Sequence, residues 1–192
     1  MNKKLMPETM KILNIIKRIE LEAVLLKCIA VLLAYFFGFY VTGRIHVESG
    51  ATGAILACTS AIVVLQDKDL KNSLHTGWLR VLGTFIGALI AWLYLLFYPF
   101  SIPGMLLAVF IEGIICMLLK VPDNGKMATI TLVVILLITK EYPNLPPWEN
   151  GLLRFSESAV GAGIGIFMVW IEYIVQRLRE LWKKEIFSPK KK

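Results

Sequence analysis

An all-α polytopic membrane protein, with six transmembrane helices arranged as two inverted three-helix repeats, is the fold this sequence predicts, and three observations predict it. The 192 residues are 57% hydrophobic and 18% charged, with a mean hydropathy of +0.67, which is too apolar for a soluble domain. Lysine and arginine gather at alternate ends of the apolar runs. A stretch near the middle of the chain recurs 74 residues later. Together these give a basic arm at residues 1–20, a first three-helix unit at 21–98, a second at 99–175 and a basic helix and tail at 176–192.

Residues 1–20 carry Lys3, Lys4, Lys11, Lys17 and Arg18 and lack the uncharged core and cleavage site of a signal peptide; a cytoplasmic surface helix is expected. Residues 21–41 are long enough for the first span and hold Lys27 in their first half. After an exterior loop at 42–50, residues 51–65 form a short second span rich in small side chains. A basic loop at 67–76 leads to the third span, 77–98. The uncharged turn 99–103 precedes the fourth span, 104–119, which Glu112 interrupts. A loop at 120–126 precedes the fifth span, 127–139. The proline-rich outer loop 140–150 carries Trp148 at interface height. The sixth span, 151–175, runs on into a basic helix at 176–187 with Leu178, Leu181, Trp182 and Ile186 on its apolar side.

This layout puts sixteen of the twenty-one basic residues on one side and only Arg44 and Lys140 on the other, with Lys27, Arg80 and Arg154 inside spans. By the positive-inside rule both termini are cytoplasmic. The same rule explains the net charge of +7 as topology and an attraction to anionic lipid, so no nucleic-acid partner is expected. Cys28, Cys58 and Cys116 lie in apolar runs without CxxC spacing or a nearby histidine, so they read as packing residues. No metal site and no cofactor are expected. No catalytic triad or phosphate loop is present, and His46 and His75 fall on opposite sides; an enzyme is not expected.

The repeat lays GWLRVLGTFIGALIA, residues 77–91, on GLLRFSESAVGAGIG, residues 151–165, with six identities in fifteen that include Arg80/Arg154 and Gly87/Gly161. The same shift lays the second span on the fifth. Three spans per unit force the two units to be inverted. The third helix of each unit also carries small residues four apart: Gly83, Gly87 and Ala91 in one, Gly161 and Gly165 in the other. That spacing serves close helix packing in lipid or the floor of a central pathway, and packing would serve such a pathway.

The passage AIVVLQDKDLKNSLHTGWLRVLGTFIGALIA, residues 61–91, resembles the signature of the fusaric-acid-resistance and aromatic acid exporter superfamily. In that pattern a second helix ending in VVLQ or VVQP leads through a short loop to an arginine, then LGT and IGA. LLKCIAVLLAYFFGF, residues 25–39, is similar to the family's first helix, including a basic residue at Lys27; Asp67 stands where the family carries proline. The resemblance implies a transporter or exporter of organic, chiefly aromatic, acid anions in a bacterial inner membrane. Related plant proteins, the aluminium-activated malate transporters, make an anion channel the alternative, and a non-transporting membrane scaffold is the other.

On that reading Arg80 and Arg154, each at the head of its helix on opposite faces, offer a guanidinium and the positive end of a helix dipole to a carboxylate. Lys27 adds a third cation, while Phe85 and Trp92 contact the substrate's ring. Alternatively, all three cations snorkel to lipid phosphates. Glu112 and Glu157 are the proton-coupling candidates. For Glu112 the alternative is a buried hydrogen bond; Glu157, three residues after Arg154, is on spacing alone its ion-pair partner. Of the two arginines, Arg80 is therefore the stronger substrate candidate. Six helices are few for an enclosed path, so a homodimer is expected, with the glycine-bearing helices near the subunit contact or the pathway.

Overall fold

A computed structural model of the chain describes residues 21–67, 69–121 and 125–187. The arm at 1–20 lies outside them. Among the described residues there are six α-helices and no strand: α1 (Leu21–Ile45), α2 (Gly50–Leu65), α3 (Leu70–Phe97), α4 (Ile102–Leu118), α5 (Lys126–Glu141) and α6 (Pro147–Phe187). A single 3-10 turn, Val47–Ser49, joins α1 to α2.

Three of these helices are long and apolar enough to cross a membrane, over Ala23–Ile45, Leu70–Phe97 and Pro147–Trp182. At 1.5 Å per residue, the 16 residues of α2 and of α5 rise only about 24 Å, less than the roughly 30 Å hydrocarbon core. α4, at 17 residues, is nearly as short, rising about 26 Å. α6, at 41 residues, rises about 61 Å and overhangs any bilayer.

The third helix starts earlier than the sequence predicts. Residues 70–76, LKNSLHT, read as loop because they are polar, yet they are helical from Leu70 onward. Asp69 is extended (φ −116°, ψ 129°) and marks the boundary; its carbonyl accepts the first-turn bond from Ser73 N at 2.8 Å. Polarity there reports the solvent, while the backbone stays helical. Arg80 is thus ten residues, about 15 Å, inside its helix. Arg154 is seven residues past Pro147. The helix-dipole field fades within the first turn, so neither arginine stands at a helix head, and the dipole contribution expected for them is absent.

Residue contacts fix the direction of every helix. Along α3 and α6, Gly77 meets Ile166, Thr84 meets Ser158, Phe85 meets Phe155 and Ala88 meets Gly151; one series climbs as the other falls, so the pair is antiparallel. α1 runs antiparallel to α6, with Thr42 at Glu157 and Ala34 near Ile164. α2 runs parallel to α6, and α5 parallel to α3. Neighbours in sequence alternate in direction, so helices holding the same place in the two halves point opposite ways.

Small side chains carry the two parallel contacts. A Cβ built on Gly87 would strike the Ala128 carbonyl oxygen, and one on Gly161 would strike that of Ala57; on Gly83 it would lie 2.6 Å from Met127 Cβ, and on Gly165 2.8 Å from Val64 Cβ. All four glycines therefore seat a third helix against the short helix of the other half, the packing role expected of them. Gly161 follows Gly87 by 74 residues, whereas Ala128 follows Ala57 by 71. The short helices are thus displaced by about one turn from the 74-residue register that relates α3 to α6.

α4 is the least embedded element. Its buried positions are Ala108, Glu112 and Cys116, a single stripe at four-residue spacing against α3 and α5. Its remaining face, with Leu106, Leu107, Phe110 and Met117, is exposed, as are Phe36, Phe37 and Tyr40 of α1. An apolar exterior on this scale belongs in lipid.

Candidate functional site

A polar seam runs through the apolar bundle where α2, α3 and α6 meet. Thr84 Oγ1 donates to Ser158 Oγ at 2.9 Å and lies 2.8 Å from the Arg80 carbonyl; Ser60 Oγ is 3.4 Å from Ser158 Oγ. All of these side chains are buried. Thr84 and Ser158 occupy equivalent positions in the 74-residue register. Equivalent residues of the repeat therefore touch where α3 and α6 cross. Arg80 and Arg154 each precede the crossing by four residues, hence lie about 6 Å to either side of it along the helix axes.

The two arginines have opposite electrostatic surroundings. Arg154, fully buried, places Nη1 2.9 Å from Glu157 Oε2, and Glu157 also accepts a hydrogen bond from Thr42 Oγ1. Gly53 makes that meeting possible, since a Cβ there would collide with both Thr42 Oγ1 and Glu157 Oε1. The Nε and Nη2 of Arg154 have no hydrogen-bond partner among the described residues. Its charge is nonetheless matched within the fold.

Arg80 is 4% exposed, and its charge is not matched. Nε donates to Ser60 Oγ at 3.1 Å, and Nη1 lies 2.7 Å from the Met127 sulfur. A hydroxyl and a thioether are weak neutral acceptors, and among the described residues no carboxylate pairs with it. Arg80 also lines a cavity of about 260 Å³ between the first turns of α3, the end of α4 and the start of α5. Leu79, Leu82, Val121 and Met127 give the cavity an apolar lining, and Lys120 stands exposed at its rim. A buried cation beside an open, mostly apolar space suits one acidic group on an apolar body.

Glu112 is fully buried and accepts from Thr129 Oγ1 at 2.6 Å and Cys116 Sγ at 2.9 Å. Gly125, at φ +75°, leaves room for this cluster; a Cβ there would meet Cys116 and Glu112. The cluster pins α4 to α5. Glu112 is thus hydrogen-bonded to the neighbouring helix, an arrangement that serves packing and leaves a carboxyl group buried between α4 and α5.

The remaining sequence candidates lie elsewhere. Phe85 and Trp92 line a second, apolar groove of about 320 Å³ with Trp148, Leu152 and Phe155 on the outside of α3 and α6. Trp92 is twelve residues, about 18 Å, along α3 from Arg80, so one small aromatic acid does not touch both. Lys27 is exposed on α1, apart from the seam. Thus Arg80 and Arg154 share one seam, while Lys27, Phe85 and Trp92 do not join them. Sequence reasoning missed Ser60, Thr84, Ser158 and Lys120; the first three carried a signal, being hydroxyls inside apolar helices, where they bond across helix contacts.

These features define a class: a helical membrane protein with charged side chains inside its apolar helices. The particular family follows from comparison. Residues 29–168 match the model of the fusaric acid resistance protein-like family, and the chain belongs to that family of membrane transport proteins. No curated protein and no solved structure matches the chain.

Proposed function

We propose that this protein exports organic, chiefly aromatic, acid anions across a bacterial inner membrane, as a homo-oligomer with both termini cytoplasmic, and that Arg80 holds the substrate's carboxylate. The observation that carries this reading is the buried guanidinium of Arg80, which has neutral partners and borders a cavity. A buried charge without a counter-charge is costly in lipid. An incoming carboxylate removes that cost, whereas at Arg154 the position is already taken by Glu157.

Six spans in two inverted repeats complete the proposal. The opposite directions of equivalent helices and the Thr84–Ser158 contact support it. With the termini inside, the Arg80 cavity opens to the cytoplasm, where an exporter collects its cargo. Glu112 is the proton-coupling candidate within this scheme. Glu157, engaged by Arg154 and Thr42, is assigned to structure.

Uptake of labelled benzoate into proteoliposomes tests the reading, with inside-out and right-side-out populations separated. Wild type is expected to show saturable flux that Arg80→Gln abolishes and Trp92→Ala leaves intact. Equal flux through wild type and Arg80→Gln would sink it. Glu112→Gln protein that still accumulates benzoate against a gradient would remove the proton-coupling role alone.

A further inference from the structure

Lys120 is the one non-glycine residue with a positive φ, 52°, among the described residues. It follows the last turn of α4, where Lys120 N reaches the Met117 carbonyl at 3.1 Å and Val121 N reaches that of Cys116 at 2.9 Å. A helix closed in this way ordinarily takes glycine at the left-handed position, because an L side chain is strained there. The chain keeps a lysine instead. Strain retained at one defined point calls for a role for the side chain, and this exposed residue lines the same cavity as buried Arg80.

Lys120 and Arg80 differ in a way that orders them along the cavity. Lys120 is exposed and Arg80 is buried. Leu79, Leu82, Val121 and Met127 lie among the residues lining the space, and among the described residues no acidic one does. The cavity thus has a solvated cation at its mouth and a desolvated one at its end. Resting on the assignment of Arg80 as the carboxylate site, we propose that Lys120 is the capture station of that site: its ammonium draws the anion to the mouth and holds it before transfer to Arg80.

A rim charge acts through field and encounter, so its effect falls on affinity and salt dependence. A buried charge acts through contact, so its effect falls on both affinity and turnover. The ligand class is accordingly an anion with one acidic group on an apolar body. The carboxylate exchanges Lys120 for Arg80 as the body enters the lining.

The experiment compares Lys120→Gln, Lys120→Arg, Lys120→Gly and Arg80→Gln for labelled benzoate flux in proteoliposomes at about 10 mM and about 150 mM NaCl, between which the screening length falls from roughly 30 to 8 Å. Wild-type KM is expected to rise with salt. Lys120→Gln should raise KM about three- to tenfold at low salt, leave kcat within about twofold and flatten the salt dependence. Lys120→Arg should retain wild-type behaviour. Lys120→Gly should share the loss of affinity while raising the thermal midpoint, because glycine relieves the left-handed strain; this variant separates lost binding from a damaged fold.

If Lys120→Gln and Lys120→Gly keep the wild-type KM and salt response while Arg80→Gln loses flux, the capture role is overturned and the Arg80 reading stands. If Arg80→Gln transports normally, or wild type carries no benzoate, the underlying reading falls and the capture role with it.

Discussion

Two arginines aligned by the 74-residue repeat differ in whether a carboxylate matches them, and what disturbing each one costs can be worked from its surroundings. Glu157→Gln leaves the Arg154 guanidinium fully buried without a counter-charge. Breaking one side of a buried pair costs about 3–5 kcal/mol. The remaining amide still accepts from Thr42, which offsets little of that charge. Arg80→Gln orphans no carboxylate; it removes one hydrogen bond to Ser60 and a contact with the Met127 sulfur, worth about 0.5–1.5 kcal/mol against the relief of an unmatched charge. The double change Arg154→Met with Glu157→Leu should come within about 1 kcal/mol of wild type or exceed it, since apolar replacement of a whole buried pair is often neutral or stabilising. SDS titration of purified protein in micelles, followed by circular dichroism, reads all three. Glu157→Gln protein as stable as wild type, or Arg80→Gln protein less stable than Glu157→Gln, would refute the reasoning.

Other consequences are simpler. Gly87→Ala and Gly161→Ala each drive a Cβ into a backbone carbonyl of the facing short helix and should cost about 1–3 kcal/mol apiece in the same titration; a cost at only one would mean that the two seats are not alike. Thr84→Val with Ser158→Ala removes the bond at the crossing and should cost only about 0.6 kcal/mol, the usual worth of an interhelical side-chain bond in lipid. Gly125→Ala combines a strained φ of +75° with a collision at Cys116 and Glu112; loosening of α4 should then appear as faster labelling of Cys116 by a membrane-permeant maleimide.

The six helices were legible in the sequence because the length of an apolar run is a direct consequence of the bilayer. The pairing of Arg154 with Glu157 was legible too, since i and i+3 share a helical face. The start of α3 was not, because LKNSLHT is polar and composition marks where lipid ends rather than where the helix begins. Placing Phe85 and Trp92 beside Arg80 failed on rotation: five residues at 100° each put Phe85 about 140° round the helix from Arg80, on the exposed side. Lys120 gave no signal, because a lysine at the end of an apolar run looks like a topology marker until its positive φ and its place on the cavity rim are known. Thr84 and Ser158 were hidden in the unmatched columns of the repeat, although they touch where α3 and α6 cross.

The central claim is that Arg80, and not Arg154, is the cation held ready for the anion. Equilibrium binding of labelled benzoate to purified protein tests it most directly, comparing Arg80→Gln with the Arg154→Met, Glu157→Leu double variant. Loss of a charge-assisted bond of about 1.5–3 kcal/mol should weaken binding about 10- to 150-fold in Arg80→Gln and leave the double variant near wild type. Unchanged affinity in Arg80→Gln, or an equal loss in both proteins, would contradict it.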